Sequence, residues 1–600
     1  MDQLSINTNW QSANRKLVAK LISELAYEQA FVLDETSQGY QLTFENDVVY
    51  RFQGKKNIWG QVVIDPSSIN RLQSLQQTNI HATQFMLDAQ KQLNMTHTAL
   101  AEHFEDLNAT LVSDDILAKR KQSISVSSLA NMDCLLQQSY FDGHPKFVFN
   151  KGRRGWGIDD IQQYAPESNT PFQLHWLAVS NKQINKAVQA DLSWNELVLS
   201  ALSQEEFTSI ENALSNLGES TSTYTILPVH PWQWQKKISL LFAREIAENQ
   251  LIYCGPLGDY FLPQLSIRTL SNITRPESYD IKLPLTIMNT SCYRGIPERY
   301  ILAGPEASHW INTTFENDDV LVAARAEVLQ EPASAHLCQV DYHELDGAPY
   351  RYHELLGVIW RESMQTKLQS QEQAILMAAL MESDASGKPL IGQYVQDSGL
   401  DITAWLERLF DAVVIPYYHL LCKYGVSLIA HGQNVTLILQ DSIPQRILLK
   451  DFQGDMRLVE RDLCELNTLP ERVKAATVRL PEELIIHDLQ TGHFVTVLRF
   501  ISPLVEQLGL PEIAFYRILG DRIKHYMGQH PELSERFQRL DLFKHKILRI
   551  GLNLAKFSHS TDNSSSRMLP DLDHLIENPL HIAQPQLAKA DHSNTELAAN

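Results

Sequence analysis

His431-Gly432-Gln433-Asn434 precedes two apolar runs, residues 435–439 and 446–452, which are joined by a polar, proline-containing turn over 440–445. That spacing predicts a β-hairpin. With the turn centred between Ser442 and Ile443, Asn434 falls directly opposite Asp451. An amide oxygen and a carboxylate at one end of a hairpin, with His431 beside them, suit a hard Mg²⁺ that also bridges nucleotide phosphates. Such an ion takes one or two protein carboxylates and fills its shell with other oxygens. Asp451 is then the main metal ligand, with Asn434 beside it. Singly, these residues serve equally well to cap a helix and close a turn. Asn, a hairpin and then Asp-Phe-x-Gly is also how protein kinases hold Mg²⁺ and ATP. A kinase, however, needs an Asp about five residues before that Asn, and Ile429 stands there.

A second cluster comprises Ser266, Arg268 and Thr269, then Lys282, Thr286 and Thr290, then Arg294. Read as two strands, it places Ser266 with Arg268 on one face and Lys282, Thr286 and Thr290 on another, opposite Leu283, Leu285 and Ile287. A basic, hydroxyl-lined face of this kind can hold triphosphate oxygens. Arginines give bidentate contacts there and lysine a compact charge. A solvated outer face would show the same alternation.

A third cluster is Gly143-His144-Pro145-Lys146 followed by Lys151, Arg153 and Arg154 among Gly152, Gly155 and Gly157. Glycines admit the backbone to an anion and the bases neutralise it, so a phosphate or polycarboxylate fits, as does a plain basic loop. Neither a Walker A pattern nor a G-x-G-x-x-G after a strand is present. His230, among prolines and tryptophans, reads as structural, and His487 and His493 are open.

These residues need elements to position them. Residues 10–30 carry Leu17, Leu21, Ile22 and Leu25 at helical spacing; 40–64 alternate as short antiparallel strands; 69–117 read as helical. Residues 143–305 mix short strand patterns with most of the polar candidates. Helical patterns dominate from about 333, including 404–424, with a kink expected at Pro416 and a C-cap at Gly425. The tail 583–600 and the serine-rich run 558–566 read as mobile or surface-exposed.

At 600 residues, 44% hydrophobic and 20% charged, the chain is long and apolar enough for several cores. A net charge of −20 argues against a general nucleic-acid or anionic-lipid surface, so an anionic substrate must meet a local basic pocket. Without a long apolar run or a basic-then-apolar start, a cytoplasmic enzyme with no membrane partner is expected. Six scattered cysteines without a CxxC pair indicate neither a zinc site nor disulfides.

The segments HPKFVFNKGRRGWG, LPVHPWQWQ, SIRTL, DIKLPLTIMNTSCYRGIP, LIAHGQN and LLKDFQGDMRL together resemble the siderophore synthetases that work without nonribosomal peptide synthetase modules, from about residue 9 to 579. Their wording is most similar to the branch that acts on a citrate already carrying one amide.

The resemblance implies an α+β, cupped-hand fold. It has a thumb (1–140), an antiparallel-sheet fingers domain (141–332), a mainly helical palm (333–582) with a kinase-like metal-binding hairpin (431–452), a tail (583–600) and usually a homodimer. It also implies an AMP-forming ligase using ATP and Mg²⁺. Ser266, Arg268, Thr269, Lys282, His431 and Asn434 would bind ATP, and Asp451 and Asn434 the metal. His144 and Arg294 would act at the reacting centre, and Lys151, Arg154, Thr290 and Arg457 on substrate carboxylates. The substrates would be the monoamide N2-citryl-N6-acetyl-N6-hydroxylysine and N6-acetyl-N6-hydroxylysine. Where some relatives have Glu two residues before the HGQN histidine, this chain has Ile429.

Overall fold

In a computed structural model, residues 9–452, 454–557 and 574–585 are described. The serine-rich run and the tail after residue 585 lie outside them. Ala583, the first residue of the expected tail, is buried at the end of the helix Pro579–Ala583.

Three large apolar cores organise the described residues. The first is built on helix Trp10–Tyr27, which buries Leu17, Leu21, Ile22 and Leu25 as its spacing predicts. The helix lies against a five-stranded antiparallel sheet and helices Ala82–Ala89 and His97–Lys121. The stretch expected to be helical from 69 instead begins with strands Asn70–Gln73 and Gln76–Thr78. Ser74 and Leu75, both at positive φ, form a tight turn between them that a periodicity count does not register.

The second core lies within an eight-stranded antiparallel sheet. Its order is Tyr224–Val229, Phe172–Ser180, Leu251–Pro263, Thr269–Asn272, Asp280–Lys282, Leu356–Arg361, Ala333–Leu337 and Ile184–Val188. The second and last of these strands are joined by only a short turn although they sit far apart in the order. The sheet therefore curls until its edges adjoin, and Lys186 Nζ donates to Thr225 Oγ1 across the gap at 2.9 Å. Two strands come from beyond residue 332, so the expected fingers boundary cuts through this sheet, and the region after 333 holds strands before helices dominate.

The third core surrounds helix Ile402–Tyr424. Asp401 caps its start by accepting from Thr403 and Ala404 N–H groups at 2.9 and 3.1 Å, worth about 1 kcal/mol. Gly425, at φ +62°, ends it as expected. The helix continues through Pro416 and is buried on several sides. No described helix is long and apolar enough to cross a membrane, and none of the six cysteines forms a disulfide with another described residue.

The hairpin of strands Val435–Gln440 and Ile443–Leu449 packs against this helix. Its register differs from the expected one. Asp441 and Ser442, at φ +51° and +62°, make a two-residue turn, so Gln440 pairs with Ile443. A bulge then shifts the ladder near Pro444, which has no N–H to give it. Val435 ends up opposite Leu449, which leaves Asp451 beyond the last pair and not facing Asn434.

Candidate active site

A cavity of about 330 Å³ lies where the cores meet. It is lined by His144, Lys151, Ser266, Arg268, Lys282, Thr290, Arg294, His431, Asn434 and Asp451, so ten of the thirteen candidates come together. Thr269, Arg154 and Arg457 do not reach it. Thr269 is buried in the ladder opposite Lys282. Arg154 turns away to Glu102 and Asp106, each at 3.2 Å, and Arg457 lies 3.5 Å from Asp488.

The way the second cluster reaches the cavity differs from two plain strands. Residues 264–268 are a turn, with Ile267 at φ +61°, and the strand starts only at Thr269. The following run breaks at Leu283-Pro284, so Lys282 belongs to the large sheet and Thr286 to a separate hairpin, where it faces Gln233. Thr290, at φ +57°, forms that hairpin's turn. Arg294 is steered by the Asn289 carbonyl at 2.8 Å and by the Thr290 hydroxyl.

Asp451 is held by Lys282 and by Arg361, the latter at 2.5 Å. Burial alone would raise its pKa, but the charges of Arg361 and Lys282 hold it well below the carboxylate range. Both cations come from adjacent strands of the large sheet and the carboxylate from the end of the hairpin, so this cluster ties two cores together at the site. Asn434 donates to Asp455 at 3.0 Å and to the Ile429 carbonyl at 3.2 Å.

His144 sits on a loop fixed by the buried Lys146–Glu28 pair at 3.0 Å and by the Val148 N–H donating to Asn553 Oδ1 at 3.1 Å. Burial first, and then the neighbouring His431 ring and the cations Lys20, Lys146 and Arg294, keep its pKa well below the ordinary value. Its Nδ1 accepts from the Phe147 N–H at 3.2 Å, so in the neutral ring the proton lies on Nε2 and the side chain offers a donor. His431 repeats the pattern, its Nδ1 accepting from Gln433 N–H at 3.3 Å and burial lowering its pKa.

The cavity thus joins an all-oxygen set (Asp451, Asp455, Asn434) to Lys282, Arg268 and Arg294. Hard oxygen donors beside phosphate-sized positive charge fit Mg²⁺ carrying a polyphosphate. Among the described residues the buried Nε of Arg294 and Oδ1 of Asn289 have no hydrogen-bond partner, as expected of groups that meet a ligand.

Residues 134–382 match the IucA / IucC family, and residues 403–564 match a family described as ferric iron reductase FhuF-like transporter. An aerobactin synthase of Vibrio mimicus is 59% identical over 585 residues, covering 97% of this chain and 98% of that one. The Escherichia coli aerobactin synthase is 45% identical over 572 residues, covering 95% and 98%. The chain belongs to the IucA/IucC family. Aerobactin synthetase IucC from Klebsiella pneumoniae shares the fold at TM-score 0.86 and 43% identity, over 96% of this chain and 99% of that one. ATP-bound IucA, at 16% identity, shares the fold at TM-score 0.74. In this chain the IucA/IucC match spans His144, Lys151, Lys282 and Arg294, whereas His431, Asn434 and Asp451 lie in the second matched segment.

Sequence reading missed Arg361 and Asp455. The signal for Arg361 was a lone arginine closing the apolar run 355–360, which cannot be buried without a counter-charge. For Asp455 it was a second carboxylate just after Asp-Phe-x-Gly. Away from the cavity, Glu298, Cys338 and His343 bring ligand atoms within 4.8 Å of one another, a grouping their chain spacing hides.

Proposed function

We propose that this chain is an ATP- and Mg²⁺-dependent carboxylate–amine ligase of aerobactin biosynthesis. It would adenylate the free carboxylate of N2-citryl-N6-acetyl-N6-hydroxylysine and join it to the amine of N6-acetyl-N6-hydroxylysine, releasing AMP and pyrophosphate. One observation carries this reading: a single cavity joins an ionised carboxylate cluster, phosphate-binding cations and two neutral histidines, in a chain collinear with aerobactin synthases. ATP use draws further support from the shared fold of ATP-bound IucA.

A carboxylate does not acylate an amine unaided, because its oxygen is a poor leaving group. Its attack on the α-phosphorus breaks the bond to the β-phosphate oxygen, and Lys282, Arg268 and Arg294 offset charge on the departing pyrophosphate. Mg²⁺ bound by Asp451, Asn434 and Asp455 would supply further charge neutralisation on the phosphates. The amine then attacks the acyl carbon, the bond to AMP breaks and a proton is released. The Nε2–H of neutral His144 serves as an oxyanion donor and not as a base. Lys151, held 2.5 Å from Asp114, lies where a substrate carboxylate can compete for it.

Phosphotransfer is the second reading, favoured by the hairpin with Asn434 and Asp451. The position of a kinase base is Ile429, which has no proton acceptor. Product analysis separates the two. Incubation with ATP, Mg²⁺, the citrate monoamide and N6-acetyl-N6-hydroxylysine should yield amide with AMP. ADP would support phosphotransfer, activity on citrate itself would assign the earlier condensation, and no AMP under any condition sinks the adenylation claim.

A further inference from the structure

A second cavity, of about 610 Å³, adjoins the first, and Gly143, Pro145, Asn150 and Met381 line both. Its wall carries the apolar side chains of Leu17, Val63, Ile64, Phe500 and Leu504. Most charged groups around it are already paired. Glu24 meets Arg499 at 2.9 Å, Lys121 meets Glu382 at 2.8 Å and Asp142 at 3.1 Å, and Asp114 meets Lys151. Lys16 and Lys20 differ: among the described residues neither has a carboxylate within 4.0 Å. Lys20 Nζ instead donates to the His144 carbonyl at 3.0 Å, which puts its ammonium at the wall shared with the first cavity.

We infer that this second cavity is the acceptor site, taking an α-amino acid with a long, uncharged side chain, its carboxylate on Lys20 and its tail along the Leu17–Leu504 wall. The inference rests on the ligase reading above and names where its amine substrate binds. A carboxylate anchored at Lys20 fixes the α-amine, one carbon away, beside the loop that carries His144, facing the acyl carbon in the first cavity. The tail then runs along the apolar side chains of the same cavity. Lys20 gains from such a partner: burial pulls its pKa down to about 8, and a contacting carboxylate restores the charged form.

The test compares N6-acetyl-N6-hydroxylysine with N-acetyl-N-hydroxy-1,5-diaminopentane, the same chain without the carboxylate. The wild type should prefer the amino acid by about 10- to 100-fold in kcat/KM, the worth of one charge-assisted contact. Lys20→Met should level that preference through KM for the amino acid, while exchange of pyrophosphate into ATP driven by the citrate monoamide persists. Leu504→Trp, in the apolar wall, should raise KM for both amines and not for the monoamide. Calorimetric binding of the amino acid to wild type and Lys20→Met reads the site without turnover, so absence of exchange in the wild type would count against the ligase reading alone. An undiminished preference in Lys20→Met, equal amino-acid binding by both proteins, or a KM effect of Leu504→Trp confined to the monoamide would overturn the acceptor site.

Discussion

Asp451 is where charge, burial and chemistry converge in single residues. Its carboxylate neutralises Lys282 and Arg361 in a setting where an unmatched charge costs about 3–5 kcal/mol. Asp451→Asn should therefore lower unfolding free energy by roughly 3 kcal/mol and AMP formation by at least about a hundredfold. Adding Lys282→Met should return part of the stability, because the orphaned cation is gone, and none of the activity. Urea midpoints and AMP release on the two single variants and the double variant check this; additive destabilisation would show that the pair is not coupled. The side chains at this scale were the most legible part of the sequence, since Lys, Arg, His and Asp placed among apolar runs and glycines point to a use. Arg361 escaped because its role depends on a carboxylate 90 residues away that meets it only in the fold.

Elements were legible where one periodicity ran unbroken, as in helix Ile402–Tyr424, and illegible where a turn resets it. The hairpin moved by one position because Asp441 and Ser442 accept left-handed backbone, and the strand read through Ser266 and Arg268 is a turn because Ile267 does the same. Such conformations depend on what surrounds the backbone, which a face-by-face count does not see. Two substitutions test this. Ser442→Gly removes a side chain from φ +62° while keeping the carbonyl that accepts from Trp405 Nε1 at 2.9 Å, so it should raise stability by about 0.5–1 kcal/mol. Gly425→Ala should do the reverse, by about 2–4 kcal/mol, since its Cβ would meet Val459 Cγ1 at 2.4 Å in a backbone that already disfavours it. Melting temperatures read both, and a Gly425→Ala protein as stable as the wild type would contradict the described close packing.

At the scale of the whole molecule the cavity draws on residues from Gln138 to Thr496, so the site exists only while separate cores remain packed together. Sequence order cannot show which cores meet, and the boundary expected at 332 failed for that reason: two strands that complete the large sheet come after it. Acid tests this cohesion. Burial lowers the pKa of His230 to about 3 and those of His487 and His493 to about 4. Each is neutral in the fold and takes a proton near pH 6.5 once unfolded, so its stabilising contribution is complete above 6.5 and drains away as pH falls toward 4. Glu382 and Asp488, raised by burial to about 7 and 6, run the other way, costing stability above their unfolded pKa and recovering it on acidification. Only a difference measurement isolates one group. His493, whose Nδ1 lies 2.8 Å from the Ala430 carbonyl just before His431, is the one to choose. Relative to His493→Asn, which keeps a donor but does not titrate, the wild type should lose about 3 kcal/mol of its advantage between pH 7 and pH 4. Urea midpoints of both proteins at four or five pH values measure the gap. A constant gap would mean that His493 reaches water in the fold, and the contact tying the segment before the hairpin to helix Gln490–Leu498 would then be looser than described.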